Sequence, residues 1–455
     1  MRVDRVLNKA VGIVGLARSG LSAAKMIKRL GGHPFVSDYQ PENKLGQRIT
    51  ELKKAGIPYE TGGHTHRLLD NSEYIIVSPG VPQNLPILQQ AEEYGIPIFS
   101  ELEVAYWLCD AGIAAVTGSN GKTTTTTLLG EIFKAAGLES FAAGNIGYPF
   151  SEVCDRISDK GWVALEVSSF QLERIFEFKP QIAVNLNLTP DHLDRYGTFE
   201  EYAETKMRIA ENLGSSQYFV VNADDEYLLN LAQRTNASLV YFSLKTEVSS
   251  GVYLKDDKIV YNLGDKSGDL GLASEIRIPG PHNLYNAMAA GAAALLAGVS
   301  AGVIKKVFRS FPGVEHRLEY VDTVDGIKFI NDSKATNVDS VWYALQSVPT
   351  KMILILGGKY KGGDLARLHE FAKDKVKLMI AIGESTELMV NSFKDIVPTA
   401  AAETLEQAVE LGYQQAEAGE TVLLSPACAS FDMFNDFEHR GRVFKDAVRN
   451  LKRNK

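Results

Sequence analysis

The sequence predicts an α/β protein of three consecutive domains, each built around a mostly parallel sheet. Three observations carry that prediction. Short apolar runs rich in β-branched residues recur along the chain, most of them precede helix-compatible segments, and several end in glycine or polar residues. A length of 455 residues with 45% hydrophobic content supplies several cores. The architecture recurs without a sequence repeat, and boundaries near residues 100 and 313 give domains 1–100, 101–313 and 314–455.

The first unit opens with VGIVGLARSGLSAAKMIKRLGG, a strand, a glycine turn and an amphipathic helix, followed by the strand PFVSD. EYIIVSPGVP is a later strand ending in Ser78, Pro79 and Gly80. Ligands of parallel sheets bind outside the carboxyl ends of the strands, where residues 15–20 and 78–80 both belong. Gly15-Leu16-Ala17-Arg18-Ser19-Gly20 has the form of a dinucleotide fingerprint with alanine at its second glycine, and Asp38 ends the next strand. This first domain is therefore Rossmann-like. A side chain at position 17 hinders a pyrophosphate, whereas Arg18 and Ser19 can themselves contact phosphate. Any diphosphate-containing ligand fits, NAD included, and so does a tight turn with no ligand.

The second unit contains the most informative stretch, TGSNGKTTTTT at residues 117–127, directly after the apolar run 112–116. Glycines let backbone N–H groups approach an anion, a helix N-terminus adds partial positive charge, and Lys122 adds a full one. Thr123 is placed to offer a hydroxyl to phosphate-bound Mg²⁺. Val116 stands where the strict phosphate-loop pattern has glycine, so this is a shortened variant of a P-loop ATPase-like domain. Glu166 ends the strand WVALEV among Ser168, Ser169 and Gln171, a placement suited to holding Mg²⁺ on a nucleotide. Asp191-His192 follows the strand QIAVNLNL, and His192 is a candidate metal ligand or substrate contact. Lys206, in the amphipathic helix FEEYAETKMRIAENL, reads on pattern as a solvated lysine. Asn283 and Asn286 lie one helical turn apart and can face one ligand, with packing or capping as the alternative.

Residues 287–304 are apolar apart from Ser300, but their alanine and glycine content indicates a buried helix or helix pair rather than a membrane span. The third unit holds KFINDSKATN, MILILGGKYKGGD, LMIAIG and TVLLSPACAS, four further strand-like runs in a second Rossmann-like domain. A net charge of −8 argues against nucleic acid as a partner. Three separated cysteines offer neither a disulfide framework nor a zinc site, and the N-terminus lacks a signal-peptide pattern. A soluble cytoplasmic monomer with no membrane partner is expected.

TGSNGKTTTT, GNIG, EVSSFQLE, TPDHLDRY, the Tyr202-to-Lys206 spacing and GPHNLYN resemble, in that order, the motifs of the Mur ligase family of peptidoglycan synthesis. The resemblance spans nearly the whole chain. GLARSG, EHRLE, FINDSKATN, GGKYKGGD and SPACASFDMFNDFEHRG are similar to the family's D-glutamate-adding branch. The resemblance implies an ATP-dependent, ADP-forming ligase joining D-glutamate to UDP-N-acetylmuramoyl-L-alanine through an acyl phosphate.

It also implies roles. Gly118, Ser119, Asn120, Gly121, Lys122, Thr123, Thr124 and Thr125 would hold the ATP phosphates, with Asn283, Asn286, Arg317, Asp332 and Lys334 as further ATP contacts. Thr123 and Glu166 would bind one Mg²⁺, and His192 with a carbamylated Lys206 a second. Lys122, Glu166, His192 and Lys206 form the catalytic set. Arg18, Ser19, Asp38, Ser78, Gly80, Asn145 and Ser168 would meet the UDP-substrate. Thr336, Lys359, Ser430 and Phe437 would form the D-glutamate pocket. Three other readings stay open: a superfamily ligase for a different amino acid, an NAD-dependent oxidoreductase, and a P-loop ATPase that makes no bond.

Overall fold

A computed structural model describes residues 2–278 and 280–453, with only the backbone of Asp194 and Arg453. Strands Ala10–Val14 (β1), His33–Asp38 (β2), Tyr59–Thr61 (β3), Tyr74–Val77 (β4) and Ile98–Ser100 (β5) form a parallel sheet of order β3-β2-β1-β4-β5. The order reverses between β1 and β4, so the loops leaving those strands diverge and open a crevice. Residues 15–17 and 78–80 lie in those two loops, and residues 18–20 open the helix that follows the first.

A second sheet has nine strands: Gly112–Thr117 (β6), Ser140–Gly144 (β7), Trp162–Glu166 (β8), Ile182–Asn185 (β9), Tyr218–Asn222 (β10), Ser238–Ser243 (β11), Gly251–Lys255 (β12), Lys258–Leu263 (β13) and Lys266–Leu272 (β14). Its order is β14-β13-β12-β11-β10-β9-β6-β8-β7. β6 lies between β8 and β9, with Val116 opposite Glu166 and Thr117 opposite Asn185. The phosphate-loop sequence therefore leaves the sheet with Glu166 on one side and residues 186–192 on the other. Pairing is parallel from β7 to β12 and antiparallel from β12 to β14. The sequence pattern does not predict that antiparallel extension. Its three strands are only partly covered, and the edge strand β14 carries lysine, aspartate and glycine, so they depart from the buried apolar pattern of the parallel strands.

Strands Glu319–Val324 (β15), Ile327–Asn331 (β16), Met352–Gly357 (β17), Val376–Ile382 (β18), Thr399–Ala401 (β19) and Thr421–Leu424 (β20) form a third sheet of order β15-β16-β20-β17-β18-β19. It is parallel apart from the β15–β16 hairpin. The continuous apolar run of β17 is wholly buried, as expected of a central strand covered on both faces.

The chain groups into two compact units, Met1–Ile276 with Leu284–Ser310, and Arg277–Asn283 with Phe311–Lys455. Within the first, the N-terminal and central sheets share one apolar core, and Arg29 makes a bidentate pair with Asp155 through Nε at 2.9 Å and Nη2 at 2.8 Å. The alanine-rich run 287–304 spans the end of helix Pro281–Leu296 and the start of helix Ala301–Ser310, with Gly298 between them at φ 89°. Among the described residues no helix is long and apolar enough to cross a membrane.

Candidate functional site

The loop after β6 is braced from both sides. The Ser119 hydroxyl donates to the Thr189 carbonyl at 2.9 Å and accepts from Thr189 N and the Tyr202 hydroxyl. Asn120 and Asn187 exchange two hydrogen bonds, at 2.8 and 3.1 Å. Lys122 begins helix Lys122–Ala135, and its ammonium folds back onto the carbonyls of Gly118 and Ser119 at 2.7 and 2.8 Å. Thr123, Thr124 and Thr125 are buried in that helix's first turn. Asn286 braces the loop from behind: its Oδ1 accepts from the Thr125 hydroxyl at 3.2 Å.

Gly121 has φ 88°, and a Cβ there would stand 2.2 Å from Asn286 Oδ1. Gly121→Ala should therefore strain the backbone by about 1–2 kcal/mol and push Asn286 off the loop. We expect at least about tenfold weaker ATP binding by calorimetry, since 1.4 kcal/mol is a factor of ten. Unchanged affinity would show that the loop does not need this conformation to hold nucleotide.

Glu166 is buried at the end of β8. Its Oε1 accepts from Asn145 Nδ2 at 2.9 Å, while Asn145 N donates to the Glu166 carbonyl at 3.0 Å. Oε2 has no partner among the described residues. A buried carboxylate oxygen without a donor is unfavourable, and a cation satisfies it. Asn145, expected at the incoming substrate, thus also positions this carboxylate.

His192 has left-handed backbone, φ 52° and ψ 33°, which is uncommon for a side chain with a Cβ. Its ring is partly exposed, 4.8 Å from the Phe170 ring, and Nε2 lies 3.6 Å from Asp191 Oδ2. Lys206 corrects the sequence reading. It is not solvated but only 1% exposed, on the inward stripe of helix Phe199–Met207 formed by Tyr202, Ala203, Lys206 and Met207. Its Nζ lies 4.8 Å above the Tyr202 ring. Burial, reinforced by the positive charge of Lys122, holds its pKa well below the ordinary 10.5, against the opposing pull of Asp191 and Glu166.

At the first sheet's switch point, Ser78 Oγ donates to the Gly15 carbonyl at 2.9 Å and closes the crevice floor. A Cβ at Gly20 would meet the Gly15 carbonyl oxygen at 1.9 Å, so only glycine allows this approach of helix to strand. Arg18 is exposed and Ser19 half-buried at the start of helix Arg18–Arg29, while Gly80 is exposed on its own loop. Asp38 is buried and accepts from Leu16 N at 2.5 Å and Gln40 N at 2.7 Å, so it shapes the loop. Ser168 forms a capping box with Gln171 on helix Ser169–Leu172.

The second unit gathers its candidates beyond the carboxyl ends of β16, β17 and β20. Asp332 is buried, accepting from Ser425 Oγ at 2.8 Å and Leu318 N at 3.1 Å. Burial pushes its carboxyl up to about 7 despite the opposing Arg317 charge. Arg317 Nε is buried with no hydrogen-bond partner among the described residues. Lys334 Nζ lies 5.5 Å from the centre of the Phe437 ring, and Thr336 N bonds the Lys334 carbonyl. Lys359 is exposed, its backbone bridged to Ala429 next to buried Ser430. Asn283 groups with this second unit.

Family models cover most of the chain: a Mur ligase MurD-like N-terminal domain over residues 9–100, a Mur ligase middle domain over 116–294, and a Mur ligase glutamate ligase domain over 316–428. The UDP-N-acetylmuramoylalanine–D-glutamate ligase of Chloroherpeton thalassium is 42% identical, covering 99% of this chain and 100% of the relative. The ligase of the same name from Koribacter versatilis is also 42% identical, over 98% of each. The chain belongs to the Mur ligase family. Its fold is similar to that of the UDP-N-acetylmuramate-alanine ligase MurC from Thermotoga maritima, with a TM-score of 0.62 and 21% identity over 98% and 100% of the two chains.

In this Mur ligase some structurally decisive residues escaped the sequence reading. Arg440 is wholly buried and donates to the carbonyls of Ser333 and Cys428 at 2.8 and 3.0 Å, tying together the loops that carry Lys334 and Ser430. Burial lowers its pKa to about 10. It lies within SPACASFDMFNDFEHRG, but a lone arginine beside acids reads as a solvated charge. Asn187 and Thr189 brace the phosphate loop and gave no sequence signal beyond following a strand.

Proposed function

We propose that this Mur ligase joins D-glutamate to UDP-N-acetylmuramoyl-L-alanine with conversion of ATP to ADP and phosphate, in cytoplasmic peptidoglycan precursor synthesis. The observation that carries the reading is one sheet edge holding a phosphate loop, a buried carboxylate with an unfilled oxygen, and a buried lysine held toward neutrality. The name carried by relatives 42% identical over nearly full length supplies the two substrates. The proposed domains are 1–100, 101–313 and 314–455, in a monomer that engages neither membrane nor nucleic acid.

A carboxylate carbon is a poor electrophile, and its oxygens leave poorly. Transfer of the ATP γ-phosphoryl group to the substrate carboxylate gives an acyl phosphate and ADP. The D-glutamate amine then attacks the carbonyl carbon, loses a proton, and phosphate departs. The protein's part is positioning and charge neutralisation. Lys122 and the loop amides bind phosphate oxygens, with Asn283, Asn286, Arg317, Asp332 and Lys334 as further nucleotide contacts. Thr123 and Glu166 would hold one Mg²⁺, and His192 with a modified Lys206 a second. Such ions, when bound, offset the negative charge of the phosphates and the acyl group.

A neutral Lys206 amine is nucleophilic toward CO₂. Forming its N–C bond with loss of one proton yields a carbamate, an oxygen ligand of the kind Mg²⁺ prefers. Arg18, Ser19, Asp38, Ser78, Gly80, Asn145 and Ser168 are assigned to the UDP-substrate side. Thr336, Lys359, Ser430 and Phe437 are assigned to D-glutamate, where a cation and hydroxyls suit a dicarboxylate.

ADP release measured with each component omitted in turn tests this reading. We expect turnover only with ATP, Mg²⁺, the UDP-sugar and D-glutamate together. Equal turnover with L-alanine or L-lysine would move the chain to another branch of the family.

A further inference from the structure

Arg195 stands between two loops to which the proposed reaction gives different tasks. It lies on helix Leu193–Tyr196, immediately after His192, and its amide donates to the His192 carbonyl at 2.9 Å. Its guanidinium, with the side chain 18% exposed, meets Glu173 through Nε at 2.8 Å and Nη2 at 2.5 Å. Nη2 also reaches the Val81 carbonyl at 3.3 Å, and Cζ lies 4.3 Å over the Phe170 ring. Phe170 is the ring packed beside His192. Val81 follows Gly80 directly, and its amide bonds the Ser78 carbonyl at 3.0 Å. Glu173 is fixed in turn, accepting from Tyr196 OH at 2.7 Å through its carboxylate and from Arg208 Nη1 at 2.5 Å through its carbonyl.

We infer that Arg195 is a positioning residue that links the 78–81 loop to the turn carrying His192, so that occupation of the UDP end steadies the acyl end. A four-residue helix entered through left-handed backbone has few bonds of its own, so tertiary contacts must set where His192 sits. A planar fork serves this purpose because it meets a carboxylate with two donors, a carbonyl with one, and a ring with its face, all at once. Lysine has several donors but no planar fork, so it cannot meet the carboxylate with two parallel donors and lie face-on over the ring at the same time. The link rests on the proposed assignment of Ser78 and Gly80 to the UDP-sugar and of His192 to the second Mg²⁺, at the acyl end of that substrate.

The test uses the full chain with Arg195→Gln, Arg195→Lys and Glu173→Gln, measuring Kd for UDP-N-acetylmuramoyl-L-alanine by calorimetry, KM for each substrate, kcat and thermal midpoint. We expect Arg195→Gln to raise Kd and KM for the UDP-sugar about tenfold and to lower kcat, leaving KM for D-glutamate within about twofold. Arg195→Lys should restore only a minor part of the loss. Glu173→Gln keeps the arginine and should reproduce the split in milder form, so it carries the test if Arg195→Gln does not fold. Folded variants that bind the UDP-sugar as tightly as wild type overturn the link, even if kcat falls. A wild-type protein that does not bind the UDP-sugar overturns the substrate assignment instead.

Discussion

Lys206→Ala is expected to lower kcat by about 10²–10³-fold, the size of effect seen when one charge-stabilising group is removed from a preorganised site. The reason is electrostatic. An ammonium at this position would be buried near Lys122 and would repel any cation held by His192. A carbamate would attract it. Acetate or formate should restore part of the rate by supplying the missing oxygens, and rigorous removal of CO₂ should lower wild-type activity reversibly. Near-normal turnover of Lys206→Ala at saturating Mg²⁺ would return the residue to a packing role.

Burial adds a stability signature independent of turnover. The folded pKa is lowered from 10.5, so between that lowered value and 10.5 the unfolded chain binds a proton that the folded chain does not. Unfolding free energy from this group therefore rises with pH across the window and is lost as pH falls through the folded pKa. Lys206→Met fills much of the same space without a titrating group. In CO₂-free buffer, wild type should gain thermal midpoint relative to Lys206→Met as pH rises from 7 toward 10. A flat difference would mean that the amine is not desolvated.

The difference between the two readings of Lys206 shows where sequence reasoning stops. The phosphate loop was legible because backbone chemistry dictates it: Gly121 must adopt positive φ, and Lys122 must follow at a helix start. The placement of Glu166 at the end of β8 and of His192 on the connection leaving β9 was legible for a related reason, since β-branched runs mark strands whose carboxyl ends share one edge of a parallel sheet. Lys206 was not, because Glu200, Glu201, Glu204 and Thr205 make its helix look solvated on several faces. Only tertiary packing shows that Tyr202, Ala203 and Lys206 share the covered stripe. Asp38 illustrates the same limit. Its position at a strand end marked a ligand edge, while its actual partners are the amides of Leu16 and Gln40. The antiparallel strands β12–β14 were silent because they are only partly covered and so lack the buried apolar pattern of the parallel strands, and Arg440 because its partner Ser333 lies far from it in sequence.

Glu166→Gln is expected to abolish Mg²⁺-dependent turnover, by about 10²-fold or more, while leaving the free protein as stable as wild type or more so. The amide oxygen can keep the hydrogen bond from Asn145 Nδ2. What disappears is a buried negative charge whose second oxygen has no donor among the described residues, a group that burdens the fold until a cation arrives. Loss of activity and gain of stability should therefore appear in one variant, the pattern expected where a site stores uncompensated charge for a ligand. Thermal melting distinguishes the cases. Wild type should rise in midpoint when Mg²⁺ and ATP are added together, by mass action on the folded state. Glu166→Gln should start at or above wild type without ligand and show little of that rise. A variant that melts well below wild type without ligand would make Glu166 a structural carboxylate, satisfied by the protein itself, and would remove the first Mg²⁺ position from the proposed site.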